Sequence, residues 1–230
     1  MNIQYFDCGF PYITIDDLFT HNELDLIWEE LNFLTYSHKL LQPRFDASQQ
    51  EKYLAAYNNR IFLDELYGNS QAAYNRHGSL NGFRDVSNIL SIIPKIYADD
   101  YKICKGHDSW FFKNLKGSLD YTCLSYYENG NYYMPHSDSS LLTTLIWLYK
   151  EPKKFDGGDL FFPDYNTSIK VKNNVAILFP SMIQHGVDIV NMKEQYQNKK
   201  MGRYCITNFL HVQQEMMGYN LHQTENSMVK

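Results

Sequence analysis

The sequence predicts a mainly β fold with flanking helices (α+β), built on a double-stranded β-helix, or jelly roll, with N-terminal helices packed on one sheet. Three observations predict it. Eight short β runs crowd between Tyr121 and Leu210, each bounded by turn residues, as in a β-sandwich or roll. Nineteen tyrosines and fourteen phenylalanines in 230 residues favour pleated surfaces, where flat rings pack across strands. Helical periodicity, by contrast, is confined to the N-terminal half.

The first helix is signalled by Thr20 and Glu23, a capping-box pair, followed by Leu24, Ile27, Trp28, Leu31 and Leu34 at helical spacing. Its apolar stripe should lie against a sheet. A second helix is expected over about Phe83 to Tyr97, with Val86, Ile89, Leu90 and Ile93 on one face and a kink or new turn at Pro94. Between them, Ser37 to Gly82 is polar and weakly periodic. The β runs are Tyr121–Tyr127, Tyr132–His136, Leu142–Tyr149 and Asp159–Phe162, then Ser168–Val171, Val175–Phe179, Gln184–Val187 and Arg203–Leu210. Turns fall at Glu128-Asn129-Gly130, Asp156-Gly157-Gly158, Asn173-Asn174 and Pro180-Ser181. Glycine and proline are sparse and no stretch reads as a linker. One structural domain is therefore expected: residues 1–116 as support and candidate lid, 117–212 as the core, 213–230 as a tail.

Composition excludes several classes. A net charge of −5 gives no global positive field to draw in nucleic acid. No window approaches the run of about 18 apolar residues that a membrane helix needs. Met1 to Phe10 lacks a basic start followed by an apolar run, so no secretory signal is read there. Cys8, Cys104, Cys123 and Cys205 are far apart and fit no zinc spacing, so reduced thiols and a cytoplasmic protein are expected. The sequence says nothing of oligomeric state.

The chemistry centres on His136-Ser137-Asp138. On a strand, residues i and i+2 share a face, so the imidazole and the carboxylate should project together. His185 follows several strand lengths later, where an antiparallel roll can bring a late strand beside an early one. Two histidines and one carboxylate on one face form the triad of non-haem iron(II) and leave positions open for a co-substrate and dioxygen. Each element alone is weak: HxD is common, and a single histidine is more often solvated or satisfied in a core. Arg203 adds to them. It opens a strand that otherwise alternates with apolar residues, and a core-facing guanidinium is costly without an anion; the plainer reading is a strand-end arginine facing water.

Taken in order, these motifs resemble the 2-oxoglutarate- and Fe(II)-dependent dioxygenases, within them the prolyl 4-hydroxylase-like branch. The segment from Tyr127 through Gly130 and Tyr133 to His136 and Asp138 follows that branch's YxxGxxYxxHxD pattern. Thr143 to Tyr149, the Gly157-Gly158 turn, Val175 to Phe179, His185 to Val187 and Arg203 to Thr207 continue it. The likeness covers about Leu119 to Val212. It implies that His136, Asp138 and His185 ligate Fe(II) and that Arg203 pairs with the distal carboxylate of 2-oxoglutarate. Tyr127 would donate to the same carboxylate, and Thr207 would face the co-substrate or simply fill its strand. Trp147 stands where many relatives have a tyrosine lining that pocket. The interval from His185 to Arg203 is long for the family, through a polar insertion at Met192 to Met201. Retention of Asp138 argues against a halogenase.

The resemblance further implies a hydroxylase that couples its reaction to decarboxylation of 2-oxoglutarate to succinate, with O2 as oxidant and ascorbate as accessory reductant. A peptide or protein prolyl side chain is the first expectation for the substrate; a free amino acid or other small molecule is the second. Outside this class stand a cupin-like enzyme without 2-oxoglutarate and a non-enzymatic jelly-roll metal-binding module. A zinc hydrolase lacks a positioned base. Asn58 to Asp64 is read as a lid or substrate wall, or more economically as a supporting helical layer. Trp110-Phe111-Phe112 is read as packing before substrate rest.

Overall fold

The computed structural model describes residues 1–36, 56–67 and 84–212. Phe83, most of Ser37 to Gly82 and the tail from 213 lie outside these. In chain order the strands are β1 (Asn2–Asp7), β2 (Pro11–Asp16), β3 (Ala56–Tyr57), β4 (Asn59–Phe62), β5 (Leu119–Tyr127), β6 (Tyr132–His136) and β7 (Leu142–Leu148). There follow β8 (Phe155–Gly157), β9 (Leu160–Phe162), β10 (Thr167–Ile169), β11 (Val175–Pro180), β12 (His185–Val187), β13 (Val190–Met192) and β14 (Arg203–His211). The helices are α1 (His21–Tyr36), α2 (Leu63–Leu66), α3 (Asn88–Ile92), α4 (Ala98–Lys105) and α5 (Trp110–Lys113).

The strands form a major sheet, β1-β2-β11-β7-β14-β5-β4, and a minor sheet, β10-β9-β12-β6-β3, with β13 and β8 as a separate pair. This is the expected jelly roll. Period-2 alternation divides the major sheet into two faces. Leu124, Tyr126, Ile146, Leu148, Leu178, Tyr204 and Ile206 point outward and pack beneath the helices with Ile27, Leu31, Leu34, Ile89, Leu90 and Ile93. Tyr127, Leu145, Trp147, Ile177, Phe179 and Cys205 point inward, toward Leu160, Phe162 and Val187 of the minor sheet. A slip of one residue along β14 would exchange the two sets, so burial fixes where Arg203 points.

The first helix forms as its sequence demands: the Thr20 N–H donates to Glu23 Oε2 at 2.8 Å and the Glu23 N–H to Thr20 Oγ1 at 3.3 Å. The second helix is corrected. It begins at Asn88, because Ser87 caps it by accepting from the Leu90 N–H at 3.0 Å. Val86 precedes the cap and is exposed, not on the buried face. A 3-10 turn, Ile93–Tyr97, takes over with Pro94 in its first turn. Short strands were also missed. The N-terminal hairpin β1–β2 extends the major sheet beside β11, and β8 ends within the expected Gly157-Gly158 turn, pairing with β13, which ends where the polar insertion begins. Asn59 to Phe62 is the edge strand β4 on β5, not part of a helical layer. Phe112 is buried as expected, while Trp110 is exposed.

Candidate metal and co-substrate site

The two histidines face one another across a single strand pair. His136, the last residue of β6, is the register partner of His185, the first of β12, and their ring centroids are 4.4 Å apart. Each ring is oriented by its own backbone: His136 Nδ1 bonds the Met134 carbonyl and His185 Nδ1 the Ile183 carbonyl, both at 2.9 Å. A carbonyl only accepts, so both Nδ1 atoms carry the proton and both Nε2 lone pairs are free. Burial lowers the His185 pKa, the neighbouring Asp138 carboxylate opposes this, and the net shift is downward. The ring is held in the neutral form that a metal requires.

Asp138 completes the group by a different route from the one the sequence suggested. It does not share a strand with His136, since β6 ends at His136. The loop that follows is pinned instead, with the Asp138 N–H donating to the Ser181 carbonyl at 2.9 Å. Its Oδ1 lies 3.5 Å from His136 Nε2 and its Oδ2 3.5 Å from His185 Nε2. The carboxylate is itself held by Thr143, whose hydroxyl donates to Oδ2 at 2.6 Å. Thr143 in turn meets the buried Ser181 hydroxyl at 2.9 Å, which meets Ser140 at 2.6 Å. One ligand atom from each of His136, Asp138 and His185 lies within 4.8 Å of the other two. Two imidazoles and a carboxylate converging in this way fit a divalent iron, and the bonds behind them are the outer contacts that such ligands need.

Arg203 lies in the same cavity. It is 0% exposed, and Nε, Nη1 and Nη2 all lack a hydrogen-bond partner, as does Nε1 of the fully buried Trp147. Its Cζ sits 4.7 Å from the Tyr127 ring centroid and 5.6 Å from that of Trp147. Aromatic faces steady a guanidinium, but they leave its N–H groups unsatisfied, and a bidentate carboxylate matches that fork. Gly158 permits the placement, because a Cβ there would stand 3.0 Å from Arg203 Cδ and the residue has φ +71°.

The cavity lining runs down alternate residues of two strands, Cys123, Ser125 and Tyr127 on β5 and Arg203, Cys205, Thr207 and Phe209 on β14. Burial raises the Tyr127 pKa despite the opposing pull of Arg203, so the hydroxyl remains a donor. It also pushes the Cys123 thiol up to about 12, so that thiol is inert. Trp147 does not line this cavity but flanks the guanidinium from behind.

The structure thus brings His136, Asp138, His185, Arg203, Tyr127 and Thr207 to one cavity. Sequence reasoning gave Thr143 and Tyr133 no role of their own, and Arg60 none beyond the candidate lid or wall at Asn58 to Asp64. The Tyr133 ring stacks on His136 with centroids 3.8 Å apart. Arg60 and Phe62, alternate residues of β4, line both this cavity and an outer groove of about 740 Å3 that opens at Asp138. The alternation in Asn59-Arg60-Ile61-Phe62 was the available signal.

Residues 121–211 match the family model described as the 2OG-Fe(II) oxygenase superfamily. Over these residues, fewer than half of the chain, the sequence is similar to that superfamily. The matched segment marks an oxidoreductase whose cofactors are Fe(II), 2-oxoglutarate and O2, and it contains every residue of the cavity named above except Arg60 and Phe62. Solved structures agree on the fold of this oxygenase. A prolyl hydroxylase from Trichoplax adhaerens, in complex with a hypoxia inducible factor oxygen degradation domain peptide fragment, aligns with TM-score 0.56 and 13% identity over 87% of this chain and 83% of its own. A 2OG-Fe(II) oxygenase family oxidoreductase from Burkholderia pseudomallei gives 0.51 and 13% over 87% and 85%. A Pseudomonas putida prolyl-4-hydroxylase gives 0.50 and 13% over 87% and 92%. No curated protein sequence matches the chain. Among the described residues, no helix is long and apolar enough to cross a membrane.

Proposed function

We propose that this oxygenase hydroxylates a prolyl side chain of a peptide or protein, with His136, Asp138 and His185 as the Fe(II) ligands and Arg203 as the anchor of 2-oxoglutarate. The observation that carries the site assignment is the fully buried Arg203 whose three nitrogens have no partner, in the same cavity as the three converging ligands. Such a cation is costly unless an anion joins it. Tyr127 would add a hydroxyl donor and Thr207 a hydroxyl on the strand face of Arg203, while Trp147, outside the cavity lining, would steady the guanidinium through its ring.

When bound, iron with 2-oxoglutarate supplies the oxidising chemistry, the co-substrate leaving as succinate and carbon dioxide. The chain's own work is positional. The carbonyls of Met134 and Ile183 fix both imidazoles, Thr143 fixes the carboxylate, and the apolar lining from Leu145 and Val187 excludes water from the reacting centre. No side chain is required as a general base.

Prolyl specificity is supported by the YxxGxxYxxHxD pattern and by the likeness in fold to the Trichoplax enzyme, whose structure holds a peptide. Residues 1–116 are read as an integral support, with β4 as one wall of the site, and residues 117–212 as the catalytic core. The four free cysteines favour a reducing compartment, the cytoplasm. The test is anaerobic titration of the protein with Fe(II) and 2-oxoglutarate, watching for the visible charge-transfer band of the chelate. A screen of proline peptides for one added oxygen follows, with ascorbate keeping the iron ferrous. No band at saturating ligand would refute the site assignment. A band with succinate formation, but hydroxylation only of non-prolyl substrates, would refute the prolyl reading.

A further inference from the structure

The chemistry so far employs one cation, Arg203, and the cavity contains a second. Arg60 lies opposite Ser125 in the β4–β5 register and lines both the inner cavity and the outer groove. Its neighbour Ile61 points the other way, into the core beneath the helices, so β4 commits the guanidinium to the cavity side. There it stands by Tyr133, the ring that stacks on His136. A positive charge is thus fixed where the groove meets the metal site.

Charge accounting shows what this cation lacks. On the assignment proposed above, one carboxylate of the 2-oxoglutarate dianion would be held by Arg203 and the other would go to the metal, and Asp138 would itself be a ligand. Asp64 accepts the Thr122 N–H at 2.6 Å and lies 4.0 Å from Arg84. Glu65 is exposed at the groove rim. Among the described residues Arg60 forms no ion pair. Around it the groove is walled by Phe62, Tyr121, Tyr133 and Phe209, apolar surface against which a charge pair is screened less than in open water.

We propose that Arg60 is a specificity-determining residue that binds a carboxylate of the substrate next to the carbon being hydroxylated. The proposal rests on the hydroxylase reading above. Two sources offer that chemistry: an acidic side chain flanking the target residue in a peptide, or the α-carboxylate of a free amino acid.

The experiment supplies Fe(II), ascorbate and 2-oxoglutarate to the wild-type protein and to Arg60→Glu, Arg60→Gln and Arg60→Lys. The substrates are proline peptides matched except for a flanking Glu, Gln or Lys, and free proline. For wild type and Arg60→Lys, the Glu peptide should exceed the Gln peptide in kcat/KM by about tenfold or more. Arg60→Gln should erase the preference. Arg60→Glu should invert it in favour of the Lys peptide, a gain that only a folded enzyme can show. Turnover of free proline in place of the peptides, lost in Arg60→Glu, would support the proposal with the α-carboxylate as source. Wild-type protein that forms no succinate sinks the hydroxylase reading and this one with it. Equal rates on Glu and Gln peptides, before and after Arg60→Glu, leave the hydroxylase reading standing and overturn the role of Arg60.

Discussion

Two arginines are buried on opposite faces of the same sheet, and their surroundings differ. Arg84, beneath the helices, is 7% exposed. Its Nη1 and Nη2 grip Asp120 at 2.8 Å each, and its Nε donates to the Leu90 carbonyl at 3.3 Å. Asp120 is tied onward to Asn208, which accepts from the Tyr97 hydroxyl at 2.7 Å. Arg203, inside the roll, has none of this. One charge is complete in the folded chain and the other is complete only with a ligand. The contrast teaches that satisfaction, rather than burial alone, separates a structural charge from a binding one.

The comparison can be broken most forcefully at the two arginines. Arg84→Ala should lower unfolding stability in urea by about 3–5 kcal/mol, since it strands the partly buried Asp120 and leaves the buried Asp64 without its neighbouring cation. Arg203→Ala should leave the stability of the ligand-free protein unchanged or higher, yet weaken 2-oxoglutarate binding by about 100-fold or more, read by anaerobic titration. If Arg203→Ala destabilises the ligand-free protein as much as Arg84→Ala does, the distinction fails. Thr143→Val removes the hydroxyl behind Asp138 and should cost about 10–100-fold in Fe(II) affinity, with urea stability far less changed than in Arg84→Ala.

The smallest expected effect is in pH. The folded His185 pKa lies below its ordinary value near 6.5, so the unfolded chain takes up a proton first as pH falls. Its contribution to stability is complete above about 6.5 and is lost on acidification toward the folded value, with a slope no steeper than about 1.4 kcal/mol per pH unit. Fe(II) should oppose that loss, because metal and proton compete for the same nitrogen. Urea melts between pH 7.5 and 5, with and without Fe(II), measure both.

Much of this was legible in the chain. The helix cap at Thr20, the strand limits at Tyr132–His136, and the convergence of His136 and His185 all follow from short-range pattern plus one antiparallel pairing. What escaped depends on distant partners. The hairpin β1–β2 is mostly exposed along β1 and is stabilised by β11, far along the sequence. Strands β8 and β13 have three residues each, too few to show a period. Glu30, amid the apolar stripe of α1, is buried because Tyr67, Ser87 and the Ile89 N–H all donate to it, partners that the helix sequence does not announce. The carboxylate at Asp138 was recognised by a motif, but the strand-face argument for it was mistaken; the Ser181 carbonyl and Thr143 place it.

The histidines stand on the minor sheet and Arg203 on the major sheet, so on the proposed assignment co-substrate with its metal would bridge the two halves of the roll like a keystone. A ligand at 100 times its dissociation constant then adds about 2.7 kcal/mol to the folded state. The lifetime of this protein against proteolysis would therefore follow the supply of a central metabolite and of ferrous iron, making abundance itself a readout of the conditions under which the enzyme can work.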